Sequence, residues 1–128
     1  MSLWMLAPAL LAAATALAGP YDQPYALVER GDPSEVRKEA TVAITKIDGA
    51  STRNPRKSDP IPPGRHTLTL HFESARGAFR PEYRDVELDL EACTRYRIVA
   101  SYTNKMGPDW SPKVYAEPIG ECRRKFAS

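Results

Sequence analysis

"RDVELDLEACTRYRIVASYT", residues 84–103, carries alternation on both sides of a single cysteine. In its first half Val86, Leu88 and Leu90 alternate with Asp85, Glu87, Asp89 and Glu91. In its second half Tyr96, Ile98, Ala100 and Tyr102 alternate with Arg95, Arg97, Val99 and Ser101. A period of two marks a strand with one buried face, because successive side chains leave an extended chain on opposite sides. Folded back at Cys93, the stretch predicts a hairpin in which Glu91 faces Arg95 and Asp89 faces Arg97. On the other side Leu90 meets Tyr96, Leu88 meets Ile98, and Val86 meets Ala100. Both faces then agree with one register. The acidic row reads as a solvated face matched by arginines. A cation site there would need help from loops, since alternate strand residues stand about 7 Å apart.

The same pattern extends outward in both directions. In "HTLTLHF" (66–72) Leu68, Leu70 and Phe72 share one face and Thr67, Thr69 and His71 the other. "TVAITKI" (41–47) and "KVYAEPI" (113–119) are weaker strands, and "PYALVE" (24–29) is a possible further one. The connections are rich in turn residues, and the 12 prolines fall mostly within them, where a sheet tolerates a residue without an N–H. The fold class is therefore all-β, a small antiparallel β-sandwich. Its predicted core is Val42, Ile44, Leu68, Leu70, Phe72, Val86, Leu88, Leu90, Tyr96, Ile98 and Ala100. One helical candidate exists, "DPSEVRKEA" (32–40), with Asp32 as cap, Pro33 at the first helical position and Glu35 three residues after the cap.

The chain opens "MSLWMLAPALLAAATALAGPYDQ", apolar or small from Leu3 to Ala18, with Ala16-Leu17-Ala18 as a small-x-small cleavage pattern. The run is shorter than the roughly 20 residues a spanning helix needs, and Pro8 interrupts it. The expected organisation is a signal peptide over 1–18 and an extension over 19–40 with a strand and a helical turn. A β-sandwich over 41–122 and a basic tail over 123–128 follow. The alternative for the first segment is a retained N-terminal anchor. An exported chain places the protein in the periplasm or outside the cell. There, Cys93 and Cys122, the two cysteines of the sequence, pair as a disulfide. If Cys93 sits directly opposite Cys122, Ile98 falls opposite Glu117 on the wrong face. A bulge, a one-residue slip, or a last strand in the facing sheet would resolve this.

Function classes are narrowed by what the residues lack. Eighteen basic and 16 acidic side chains leave a balance of +2, with no excess that would argue for nucleic acid. No C-x-x-C, H-E-x-x-H, G-x-S-x-G or phosphate-loop pattern occurs. His66 and His71 are five apart, so on one strand they point to opposite faces and cannot share an ion. The expectation is no catalytic residue, no metal, no cofactor and no span in the mature chain. Two loops remain as contact surfaces. "DGASTRNPRKSDP" (48–60) gathers Arg53, Arg56 and Lys57 and reads as solvated. "YTNKMGPDWSP" (102–112) places Tyr102, Met106 and Trp110 around a Gly-Pro turn, as anchors for a partner. The other role open to Trp110 is a plug at the end of the sandwich.

"ITKIDG" (44–49), "IPPGRHTLTL" (61–70), "EACTRYRIVA" (91–100) and "DWSPKV" (109–114) together resemble bacterial envelope β-sandwich domains of the PEGA and carboxypeptidase-regulatory-like type. In those domains a strand ends at an I-D-G turn, a P-G-x-H turn opens the next, and a Y-x-(I/L)-x-A strand lies in the core. The resemblance implies turns needing positive φ at Gly49 and Gly64, and no catalytic residues. It implies a binding or scaffolding module that meets an envelope partner. The alternative is a periplasmic protein that binds a small molecule, glycan or metal.

Overall fold

The computed structural model describes residues 19–73, 82–104 and 109–127. The expected signal segment 1–18 and Met106 lie outside the described residues. Among the described residues eight strands precede a short helix: β1 (Ala26–Arg30), β2 (Glu39–Ala40), β3 (Val42–Ile47), β4 (Ala50–Ser51), β5 (Gly64–Phe72), β6 (Tyr83–Leu90), β7 (Thr94–Tyr102), β8 (Trp110–Pro118) and α1 (Gly120–Lys125). They form two sheets. One runs β4-β3-β5-β6. In the other, β7 lies between β8 and the pair β1 and β2, which share its opposite flank.

One core joins the sheets: Ala26, Val28, Ile98 and Ala100 from one, Val42, Ile44, Leu68 and Leu70 from the other. The predicted core residues lie in it, but Val86 and Leu88 are only partly buried. The reason is position, since β6 is the last strand of its sheet and no described strand pairs with its far side. Periodicity did not reveal Ala26, Val28 and Ile61, which complete the core.

The expected hairpin across Cys93 does not form. β6 pairs with β5 (His66 opposite Leu88, Thr67 opposite Glu87), while β7 lies in the other sheet. Cys93, at φ 55, turns the chain between layers. Its N–H donates to Tyr25 O at 2.7 Å, and its carbonyl accepts from Ile119 N at 2.9 Å. Both flanks of β7 are thereby filled, by β1 and β2 on one side and β8 on the other. The run Ile98-Val99-Ala100 is buried on both faces, the mark of a central strand. Arg95 and Arg97 consequently meet Glu29 and Glu117 rather than Glu91 and Asp89.

Other expectations change as well. "DPSEVRKEA" is not helical: Ser34 and Glu39 exchange backbone hydrogen bonds (2.9 and 2.8 Å) around a tight turn with Lys38 at φ 56. Residues 19–40 are not an appendage, since β1 runs parallel to β7 and supplies two fully buried core residues. The sheet is thus mixed rather than wholly antiparallel. At the C-terminus the register puts Thr94 opposite Pro118 and Ile98 opposite Val114. Cys122 is not in the strand at all; α1 folds it back to disulfide distance from Cys93, Cα to Cα 5.2 Å. Around the pair, Tyr25, Leu27 and Ile119 form a second small apolar cluster. The basic residues Arg123, Arg124 and Lys125 belong to the last turn of α1.

Candidate interaction surface

Backbone hydrogen bonds decide what each edge of the sandwich offers. In an antiparallel pair, alternate residues point both their N–H and C=O at the neighbouring strand and the rest point them away. Phe72 N donates to Glu82 O at 2.8 Å, and the β5–β6 register runs without a shift from there to Gly64 opposite Leu90. Arg84, Val86, Leu88 and Leu90 therefore bond to β5. Tyr83, Asp85, Glu87 and Asp89 aim their backbone groups at the open side, where no described strand pairs with β6.

The same reasoning applied to β8 gives a different edge. Ile119 N donates to Cys93 O, so the odd-numbered residues of β8 face β7 and the even-numbered ones face outward. Two of those outward positions are Pro112 and Pro118, which have no N–H to offer. The opposite flank of β7 is also closed to a partner. The segment from Arg56 to Ile61 lies along β1, with Arg30 N to Arg56 O at 2.9 Å and Ile61 N to Ala26 O at 2.9 Å. The loop read as solvated is thus half structural: Arg53, Arg56 and Lys57 are exposed, but Ser58 is buried and its hydroxyl accepts from Val28 N at 3.0 Å.

Side chains on β6 follow the alternation. The acidic row is solvated as expected, though its cation is Arg65 from β5. That guanidinium reaches Glu87 at 2.8 Å and Asp89 at 3.6 Å. Asp85 accepts from the Thr69 hydroxyl at 2.7 Å. Among the described residues, no group of three His, Cys, Asp or Glu could hold a metal ion.

The outer face over β7 and β8 is more tightly tied. Glu39, with a side chain only 1% exposed, accepts from Arg37 Nε at 3.0 Å and from the Tyr115 hydroxyl, and lies 3.4 Å from Lys113 Nζ. Burial pushes this carboxyl's pKa up, but the bonds from Tyr115, Arg37 and Lys113 outweigh it and hold the pKa below the ordinary value. Sequence reasoning missed the cluster, because it placed Glu39 on a helix.

Trp110 is 3% exposed and packs on Phe72, ring centroids 5.3 Å apart, with the Arg84 guanidinium 5.3 Å above its ring. This is the plug arrangement. Tyr102 is half-buried against the same core and borders a shallow cleft with Lys38 and Thr103.

The two histidines separate as the odd spacing predicted. His71 stacks on Tyr83 on the outer face, centroids 4.6 Å apart. His66 is a latch at the mouth of β5. Its Nδ1 lies 2.6 Å from Asp48 Oδ2 and its Nε2 lies 2.8 Å from Pro62 O. Both neighbours are acceptors, so only the doubly protonated ring satisfies both. Burial opposes that charge, yet the bonds to Asp48 and Pro62, with the Asp48 charge, raise the His66 pKa. Asp48 also accepts from Thr67 N at 2.8 Å. Asp48 and Gly49 turn with φ 52 and 82, the two positive values that a tight Asp-Gly hairpin needs. Gly64, at φ 128, opens β5. The I-D-G and P-G-x-H turns thus sit where the sequence placed them.

No helix among the described residues is long and apolar enough to cross a membrane. Comparison with family models, curated proteins and solved structures found no match for this chain.

Proposed function

We propose that this chain is a non-catalytic interaction module of the bacterial cell envelope, exported to the periplasm or beyond, that takes its partner by strand addition. The observation carrying this is the β6 edge: eight residues, no proline, and a row of outward backbone groups without a described partner strand. An added strand satisfies those groups with main-chain bonds, the most economical way for a sheet to bind an extended segment. Two features support the location. The apolar segment 3–18 ends in a cleavage pattern, and the cysteine pair suits an oxidising compartment. The resemblance to PEGA-type domains agrees with a module of this kind.

The test compares capture from envelope extract by the wild-type protein and by Glu87→Pro. That substitution removes an N–H from the open edge while leaving the β5 ladder intact. Loss of the captured partner on a folded variant supports the reading, and undiminished capture refutes it.

A second reading, a binder of small molecules or glycans, has one observation in its favour. A cleft lined by Tyr21, Tyr25, Lys57, Arg95, Glu121 and Arg124 combines aromatic walls with three cations and one carboxylate, and Arg95 is already paired with Glu29 and Glu117. Titration with a panel of anionic oligosaccharides separates the two readings, since such binding would survive Glu87→Pro.

A further inference from the structure

We infer, resting on the strand-addition reading above, that the β6 edge selects an extended segment with lysine or arginine at alternate positions and apolar residues between them, and that it rejects a second copy of this chain. The inference comes from what flanks the open backbone groups. On the outer face the row is Asp85, Glu87 and Asp89, and among the described residues one guanidinium, Arg65, reaches only the last two. An added strand places its own alternate side chains directly opposite these carboxylates, where opposite charges attract and like charges repel.

On the inner face Val86 and Leu88 are half-buried against the core. Apolar residues on the added strand would extend that layer and cover its margin. Near the start of β6 the inner face is occupied by Arg84, held over Trp110, with a buried Nε that has no hydrogen-bond partner. A second basic residue is therefore disfavoured on that side, which confines the cations to the outer row. Two β6 edges laid antiparallel, the arrangement that keeps both outer faces on one side, would set carboxylate against carboxylate. Laid parallel, one copy must turn over, and each acidic row would lie beside the other's apolar face with no opposite charge to meet it. The acidic row is thus both a lure for a basic strand and a barrier to self-association, the usual way an exposed edge is kept from pairing with itself.

The experiment uses labelled eight-residue peptides, matched to β6 in length, and reads binding by fluorescence anisotropy. One alternates lysine with valine and threonine. A second replaces each lysine by glutamate. A third has the first peptide's composition with its lysines grouped together. Each is titrated against the wild type, Glu87→Pro and Glu87→Thr, with circular dichroism confirming that the variants fold.

The alternating lysine peptide should bind the wild type roughly tenfold or more tighter than the glutamate peptide, three facing pairs changing sign. It should also beat the grouped peptide and weaken as salt rises. Glu87→Pro should abolish binding, and Glu87→Thr, which keeps the N–H, should weaken it by only a few fold. Equal binding of lysine and glutamate peptides, both lost in Glu87→Pro, would overturn the charge inference and leave strand addition standing. Lysine-peptide binding that survives Glu87→Pro, or no binding to the wild type, would overturn both. Sedimentation showing a dimer that Glu87→Pro dissolves would make the second copy the occupant and refute the inference.

Discussion

β6 and β8 close the same side of the two sheets, and they are built in opposite ways. β8 is guarded. Prolines stand at two of its outward positions, and Tyr115 and Lys113 tie it across β7 to Glu39. Glu117 binds Arg95 and Arg97, Trp110 plugs one end, and α1 with Cys122 pins the other. β6 has its ladder to β5, the Tyr83 ring on His71 and Arg84 over Trp110 near its start, but on its acidic row only Arg65 and the Thr69 hydroxyl among the described residues. The difference teaches that an edge can be protected by missing donors and fixed side chains, or by charge alone. Only the second kind leaves the backbone free to accept a partner of the right sign.

The comparison can be broken most severely at its shared foundation. Ile98 is fully buried and packs under both sheets. Ile98→Ala should cost about 2 to 5 kcal/mol by lost burial and residual cavity, and a denaturant melt should show one transition in which both edges unfold together. Two separate transitions would mean that the sheets do not share a core.

Next in size is the pin on β8. Replacing Cys93 and Cys122 by serine should cost about 2 to 4 kcal/mol, and the loss should appear first in α1 and the end of β8. Thiol titration of the unreduced, denatured wild type should find no free thiol. Two reactive thiols there would remove the pin from the account.

A smaller effect distinguishes the sheets by pH. Glu39→Ala should cost about 1 to 3 kcal/mol, because Tyr115, Arg37 and Lys113 lose a buried acceptor. Since the folded pKa of Glu39 is depressed, its contribution is present above about pH 4.3 and is lost as pH falls through the folded value. His66 has the opposite sign. Its folded pKa is raised, so its contribution is complete below about pH 6.5 and is lost as pH rises through the folded value. Thermal melts across pH should therefore flatten on the acid side in Glu39→Gln and on the neutral side in His66→Gln. The same pH profile in both variants as in the wild type would refute the assignment.

Much of this molecule was legible in the sequence. Period-two alternation located β3, β5, β6, β7 and β8, and the Asp-Gly and Pro-Gly pairs marked turns whose positive φ values the structure bears out. Strand pairing was not legible, because alternation reports which face is buried and says nothing about the neighbour. The register that matched Leu90 with Tyr96 satisfied both faces, yet Gly64 takes that place beside Leu90. One signal was available: Ile98-Val99-Ala100 is apolar on both faces, which suits a strand flanked and covered on every side. β1 and β2 were harder to read, being short and stabilised by partners 60 or more residues away. The β6 edge was invisible for the same reason as the hairpin was attractive, since assigning β7 as its neighbour left no edge to notice.

Amide hydrogen exchange read residue by residue along β6, with β8 as the reference edge, tests most directly whether the β6 edge is open. The structure predicts a saw-tooth on β6, with Val86 and Leu88 protected and Asp85, Glu87 and Asp89 exchanging freely. On β8 it predicts Lys113 and Tyr115 protected and Val114 and Ala116 free. Uniform protection of Asp85, Glu87 and Asp89 at the level of Val86 and Leu88 would show that the β6 edge is already covered, and would contradict the account.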